Sequence, residues 1–404
     1  MCEYNILSKN YAGLDKKLQG FDDSIVLNRK NRNKDANPRD VNNKIKKLQG
    51  AGLPIALVMF ATVLVYACSD NNEIMNSRPE IEAYRGFNIS PSTDNSQLDT
   101  VKAITGANLF RLGGPYVSKE PPYEFIESAF QHLGRVLDWA ESNDIRVVID
   151  PHTTPGTRSR WTIYPEDEFW QDKAWHEHLI KVWVRIAREN KHRGDVIFGY
   201  DLLNEPAIPD PSIHGDQWNE LVAVLVDTIR AVGDQHPIIV EPAFVRLPGG
   251  GFRDRIEGLE DLILPNDDNL IVSPHVYEPF LFTHQGVNDN PAGVPYPGQI
   301  GETFWDKNEL SAHLQPIRDF KDANKNVPIF IGEFSASRAG GEDSNAYLED
   351  LIDLFEAEGW SWAYHDLRGG RMWDPERPVG TNAAEPRNPD TPRMKLLRNY
   401  YSRK

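Results

Sequence analysis

From about residue 81 onward, short apolar and β-branched runs recur, separated by longer stretches in which apolar residues return every three or four positions. The runs are Tyr84–Ile89, Asn108–Leu112, Arg146–Ile149, Val196–Leu203, Ile238–Val240, Leu270–Val272, Pro328–Ile331 and Trp360–Tyr364. Runs of this length, rich in Val, Ile and aromatics, read as strands. Between them, Trp175, Leu179, Val182, Trp183 and Ile186 fall on one helical stripe. Trp218, Leu221, Val222, Leu225 and Ile229 do the same, as do Leu348, Leu351, Ile352 and Phe355. Eight strands alternating with helices predict an α/β fold with parallel pairing through right-handed crossovers. That number suits closure into a (β/α)8 TIM barrel, one domain over residues 81–404. A doubly wound open sheet is the alternative, but no glycine-rich phosphate loop follows the first run. Trp175, Trp183 and Trp218 sit on the stripes and are read as core.

The first eighty residues lack this rhythm. Residues 1–43 are rich in Asn, Lys and Asp and read as disordered, or as an extension foreign to the mature product. Lys44-Ile45-Lys46-Lys47 precedes the apolar run Leu53–Ala67, which falls short of the roughly 20 residues of a spanning helix. Basic residues, a short apolar core and a small residue before the break have the layout of a signal peptide over residues 44–68. Val65-Tyr66-Ala67-Cys68 resembles a bacterial lipobox, in which the cysteine is acylated and becomes the new N-terminus; an ordinary signal peptide or a simple membrane anchor is the alternative. The expectation is an exported bacterial protein, either a periplasmic or cell-surface lipoprotein with a lipid anchor on Cys68 or a secreted one. Residues 69–80 then form a tether, and translation starts nearer Val41 or Leu48.

A net charge of −16 argues against nucleic acid and anionic membrane surfaces as partners, because both repel an acidic chain. The two cysteines, Cys2 and Cys68, lie ahead of the folded part, so no disulfide, zinc or redox motif is expected there. Asp267-Asp268 reads as solvated loop charge, and nothing calls for a metal or organic cofactor. Ten Trp include rings beyond the core's needs, and flat rings stack on the apolar faces of pyranose sugars.

In such a barrel the active site lies at the C-terminal ends of the strands. The second run ends with Arg111 and the third with His152. The fourth ends on Asn204 and Glu205, and the seventh on Glu333. After the sixth come His275 and Tyr277, two apart and on one side of the strand. Each has a plain structural reading: Arg111 neutralises a carboxylate, Asn204 caps a following helix, Pro206 opens it. Together they place two glutamates in one mouth, where buried polar groups are costly unless paired or used. Two facing carboxyls are the minimum equipment for cleaving a glycosidic bond, one protonated and one ionised. Arg111 beside Glu333 keeps that carboxylate charged, while Glu205, less compensated, holds its proton.

With these residues the chain resembles glycoside hydrolase family 5, the large cellulase and mannanase family of clan A. The likeness rests on Phe110-Arg111-Leu112, Asp150-Pro151-His152, Asn204-Glu205-Pro206, His275-Val276-Tyr277 and Gly332-Glu333-Phe334-Ser335, in the family's order. It runs from about Phe87 to the C-terminus. The resemblance implies a retaining β-glycosidase in which Glu205 matches the acid/base and Glu333 the nucleophile. Asn204 matches the residue that reads the sugar 2-hydroxyl, and Arg111 and Tyr277 match those that hold and tune the nucleophile. His152 and His275 match histidines lining the minus-one subsite, and Trp362 matches its aromatic floor. One departure stands out: where many relatives carry Trp-x-Tyr-Trp, this chain has Trp362-Ala363-Tyr364-His365. The stacking ring is then Trp360 or Trp362, with Trp362 preferred, and Trp373 is expected at the cleft rim.

Trp161, Tyr164 and Trp170 after the third run, and Phe280, Phe282, Tyr296 and Trp305 after the sixth, are candidates for further sugar stacking or for loop packing. Long aromatic loops suit a polymer, so the expected enzyme is a monomeric endo-β-1,4-glucanase acting on a β-linked polysaccharide or oligosaccharide. β-Mannan, xyloglucan, mixed-linkage and β-1,3-glucan remain alternatives, as does a relative acting on small glycosides or a glycolipid. A catalytically silent carbohydrate-binding lipoprotein would have lost a catalytic residue, and none is missing.

Overall fold

The computed structural model describes residues 83–157, 165–209, 217–245, 256–287, 289–381 and 385–403. The signal-peptide, Cys68 and tether readings lie outside the described residues, as do Trp161 and Tyr164. The compact unit that carries the described residues runs from Ile81 to Lys404.

Eight parallel strands follow one another around a ring: β1 Arg85–Ile89, β2 Leu109–Pro115, β3 Arg146–Thr153, β4 Ile197–Asp201, β5 Ile238–Val240, β6 Leu270–Val272, β7 Phe330–Phe334 and β8 Ser361–Leu367. β8 pairs with β1, and the remaining seam between β6 and β7 is bridged at Val272–Ile329 and Val276–Phe334. There the N–H groups of Val272 and Val276 donate to the carbonyls of Pro328 and Glu333, each at 2.9 Å. The expected (β/α)8 barrel is therefore present, each strand falling on one of the apolar runs.

The outer layer comprises α1 Asn95–Thr105, α2 Glu127–Ser142, α3 His176–Asn190, α4 Gln217–Ala231, α5 Lys307–His313, α6 Gln315–Ala323, α7 Gly341–Ala357 and α8 Pro392–Tyr401. α1 shows why these segments start and stop where they do. Asp94 and Gln97 form a reciprocal capping box, and Gly106 ends the helix in the left-handed region at φ 76°. The α3, α4 and α7 stripes are buried as the spacing predicts, with one exception. Trp175 precedes α3 and is only half-buried, its ring meeting Tyr123 edge-on at 5.3 Å. Asp267 is likewise not a free loop charge, because Arg230 Nε donates to it at 2.8 Å. None of the described helices is long and apolar enough to cross a membrane.

Inside the ring, Leu109, Val148, Phe198, Ile239, Ile271, Phe330 and Ala363 form an apolar floor, with Tyr84 packed against it. Pairing steps from Val147–Ile197 to Val148–Gly199, leaving Phe198 as an extra residue in β4. Such a bulge re-aims the side chains that follow it, and Asp201 reaches the barrel interior.

Candidate active site

Above the floor the barrel interior becomes charged, and Arg111 on β2 is its centre. Its side chain is fully buried, so each of its five N–H donors needs an acceptor. Nε donates to Asp201 Oδ2 at 2.9 Å, and Nη1 to Asn88 Oδ1 at 3.0 Å and Glu333 Oε1 at 2.8 Å. Nη2 donates to Asn204 Oδ1 at 2.9 Å and Glu241 Oε1 at 3.0 Å. Asp150 Oδ2 lies 3.2 Å away as a further ion contact. Burial opposes the guanidinium charge, but the surrounding carboxylates hold it well above its ordinary range. One cation cannot neutralise so many anions. Burial accordingly pushes Asp201 well above the usual carboxylate range, against the pull of Arg111.

Glu333 ends β7 with both oxygens engaged. Oε1 faces Arg111, while Oε2 accepts from Tyr277 Oη at 2.9 Å and lies 3.4 Å from His365 Nδ1 and 3.9 Å from His275 Nδ1. Burial works against the anion, yet the charges of His365, His275 and Arg111 outweigh it and hold Glu333 at about 2. The residue before it must be glycine. A Cβ on Gly332 would meet Ser273 Oγ at 2.4 Å and His275 Nε2 at 3.0 Å, so the histidine stands where a side chain would go.

Glu205 follows β4 with φ 44°, in the left-handed region that few non-glycine residues adopt. Its backbone N–H donates to Glu241 Oε2 at 2.9 Å, and its Oε1 lies 3.0 Å from His275 Nδ1. His275 Nε2 is 3.3 Å from Glu241 Oε1. Burial disfavours a charge on His275, but Glu241, Glu333 and Glu205 overcome it and push the imidazole up to about 10. Carboxylate oxygens of Glu205 and Glu333 and a ring nitrogen of His275 lie within 4.8 Å of one another. That trio has metal-ligand chemistry in outline, and a metal there would have to displace the proton that the surrounding carboxylates favour on the His275 ring. His152 stands aside, paired through Nδ1 with Asp150 Oδ2 at 2.7 Å, and burial notwithstanding, Asp150 raises its pKa.

The structure thus brings Arg111, Asn204, Glu205, His275, Tyr277 and Glu333 into one cluster, with His152 one carboxylate away. Trp362 does not join them. It is fully buried on the outer side of β8, its Nε1 donating to Glu356 Oε1 of α7 at 2.9 Å and its ring 5.3 Å from Tyr401. Strand alternation is the reason: Ala363 belongs to the floor, so His365 faces inward and Trp362 and Tyr364 face out. Trp360 is equally buried, against Phe355. Asn204-Glu205-Pro206 leads directly into a short strand rather than a helix, with Ala207–Ile208 pairing with Phe244–Val245. Of the loop aromatics, Trp170, Phe282 and Tyr296 are buried packing residues, and Trp305 packs beside His313. Phe280 is 44% exposed and stacks on His284 at 3.8 Å, and His284 meets Trp373, whose ring lies 5.9 Å from His365.

Asp150 and His365 stand within the quoted motifs without a role of their own, and Asp201 and Glu241 are not singled out at all. Position could have found two of them: Val240-Glu241-Pro242 repeats the strand-end pattern of Asn204-Glu205-Pro206, and Asp150 lies two residues before His152 on the same face.

The model of the cellulase family, glycosyl hydrolase family 5, matches residues 70–370. Cellodextrinase A of Ruminococcus flavefaciens is 26% identical over 281 residues, 68% of this chain and 77% of that one. Endoglucanase C of Acetivibrio thermocellus is 24% identical over 277 residues, 62% of this chain and 74% of that one. Among solved structures, Cel5A of Thermotoga maritima in complex with cellobiose is similar with a TM-score of 0.61 at 25% identity, covering 79% of this chain and 98% of that one. With a barrel of matching topology and a family model spanning most of the chain, the protein belongs to glycosyl hydrolase family 5, the cellulase family.

Proposed function

We propose that the protein is a retaining endo-β-1,4-glucanase with Glu333 as nucleophile and Glu205 as acid/base. The single observation that carries the mechanism is the approach of the two carboxylates, whose oxygens lie within 4.8 Å. Double displacement uses a separation of about 5–5.5 Å, whereas inversion needs about 6.5–9.5 Å to seat a water between carboxyl and sugar.

The asymmetry of the two sites assigns the roles. Glu333, met by Arg111, Tyr277 and His365, stays ionised and attacks the anomeric carbon. Glu205 has His275 as its close cationic neighbour, and the proton shared between them goes to the departing glycosidic oxygen. Water then enters with Glu205 as base, and the bond from C1 to Glu333 breaks. Asn204, its Oδ1 fixed by Arg111, presents its amide to the sugar 2-hydroxyl. The names of the relatives, cellodextrinase and endoglucanase, support β-1,4-linked glucose as substrate, and the rim of Phe280, His284 and Trp373 offers rings to sugars beyond the cleavage point.

The test is hydrolysis of a panel of purified β-1,4-, β-1,3- and mixed-linkage glucans and β-mannan, with product length by chromatography and anomer by NMR. The expected result is early release of mixed cello-oligosaccharides of retained configuration. Stepwise release of a single short product would replace the endo reading, first release of the α-anomer would end the retaining mechanism, and preference for mannan would change the substrate.

We further propose export, with Cys68 as a lipid-bearing N-terminus, on the strength of the basic, apolar and Val65-Tyr66-Ala67-Cys68 segments. Metabolic labelling with an alkynyl fatty acid tests it: the label should be lost in Cys68→Ala.

A further inference from the structure

His365 is unlike the other groups around Glu333. Its Nδ1 is fully buried without a hydrogen-bond partner, and Glu333 Oε2 is the acidic oxygen it meets, at 3.4 Å. Its side chain is 25% exposed, and Nε2 is neither buried nor bonded among the described residues. The ring is held edge-on between Tyr277 and Trp373, at 6.3 and 5.9 Å. Trp373 is itself fixed, since Tyr364 Oη donates to its carbonyl at 2.6 Å. One edge of the imidazole therefore faces the nucleophile and the other faces solvent above it.

We propose that His365 is a catalytic residue of the second half-reaction, donating from Nδ1 to Glu333 Oε2 as the sugar leaves it and holding a hydroxyl of that sugar at Nε2. Oε1 is tied into the Arg111 cluster, so Oε2 is the oxygen that bonds to the anomeric carbon. In the first step the C1–Oε2 bond forms as the glycosidic C–O bond breaks, and the released electron pair takes the proton from Glu205. Oε2 then carries little charge and attracts Nδ1–H weakly. In the second step water bonds to C1 and gives its proton to Glu205. The C1–Oε2 pair returns to Glu333, and negative charge reappears opposite Nδ1–H. A donor so placed stabilises the departing carboxylate more than the ester, and contacts that are long at rest tighten as charge develops. Nε2 accepts from that hydroxyl when the ring carries the Nδ1 proton alone and donates to it when the ring carries two.

The inference rests on the retaining reading, and one experiment separates the two. An activated 2-deoxy-2-fluoro-β-cellobioside is used to trap the glycosyl-enzyme, peptide mass spectrometry locates the label, and the trapped enzyme is reactivated with added cellobiose. Label on Glu333 in both wild type and His365→Phe, with reactivation about 10- to 100-fold slower in the variant, is the expected result. His365→Asn, which keeps an N–H near the Nδ1 position, should restore the rate to within about threefold of wild type. His365→Ala, needing no extra room, serves as a second donor-free variant should the phenylalanine not be accommodated. Labelling of Glu333 with unchanged reactivation in the donor-free variants would overturn the role of His365. Equal slowing in His365→Asn would also overturn it, by pointing to shape rather than the donor. Absence of label from Glu333 in the wild type would remove the retaining reading and this proposal with it.

Discussion

The floor and the mouth of the barrel are built on the same strands, two residues apart. Leu109, Val148, Ile239, Ile271 and Ala363 lie in the floor. One inward step further stand Arg111, Asp150, Glu241, Ser273 and His365, and beyond two of these come His152 and His275. A rise of about 6.6 Å thus separates side chains chosen for volume from side chains chosen for charge. The floor buries apolar area with no polar obligations. The mouth holds a buried guanidinium among carboxylates, an arrangement that stabilises little against well-packed apolar residues and that chemistry alone requires. Stability and activity should therefore separate by layer.

The sharpest trial is Glu333→Gln. Its turnover should fall by about 10⁴-fold or more, about 5.5 kcal/mol of barrier, while the protein stays folded and gives up no more than the stability that the Glu333 charge contributes. A variant that loses activity only because it unfolds would break the contrast. Glu205→Ala should lose about 10²- to 10⁴-fold on cello-oligosaccharides and far less on aryl glycosides whose leaving groups need no proton. Equal losses on both substrates would move the acid role elsewhere. Phe198→Ala in the floor should cost about 3–5 kcal/mol in a denaturant titration while turnover per folded molecule stays within about threefold. Arg111→Met is the exception that sharpens the rule: its buried carboxylates lose their common cation, so about 3–5 kcal/mol of stability should go along with activity.

The smallest effect is the pH profile of stability. Glu333, held at about 2 against an ordinary 4.5, contributes stability that is complete above the higher value and lost as pH falls toward the lower. His275, raised from 6.5 to about 10, contributes stability complete below the lower value and lost as pH rises toward the upper. Unfolding free energies should be greatest between the two windows, near pH 5.5, and lower at pH 3 and pH 9, a loss that Glu333→Gln and His275→Asn should each reduce on its own side. A profile flat across that range would mean the mouth is better solvated than its burial implies.

The barrel was legible because its strands are short β-branched runs and its helices keep a helical stripe, both local signals. Glu205 and Glu333 were legible as carboxyls at the ends of apolar strands, although Glu241, placed in the same way, was passed over. Trp362 was misplaced for want of one long-range fact, which side of β8 faces in; Ala363 in the floor supplies it, and His365 follows by parity. Asp201 reaches the interior through the bulge at Phe198, which no spacing in the sequence announces. The loop aromatics Phe282 and Tyr296 looked like sugar platforms, yet they pack against Tyr347 of α7, a contact made across the fold.

Two indoles of the outer layer reach back to this chemistry. Trp183 of α3 donates to the carbonyl of Leu202, two residues before Asn204, and Trp218 of α4 donates to the carbonyl of Glu241, each at 2.9 Å. Both chromophores are moored to the strand ends that lead to Glu205 and carry Glu241. Once the emission of the other eight Trp is removed by substitution, theirs is a built-in optical gauge of the barrel mouth, readable during titration with sugar or denaturant without attaching a dye to the cleft.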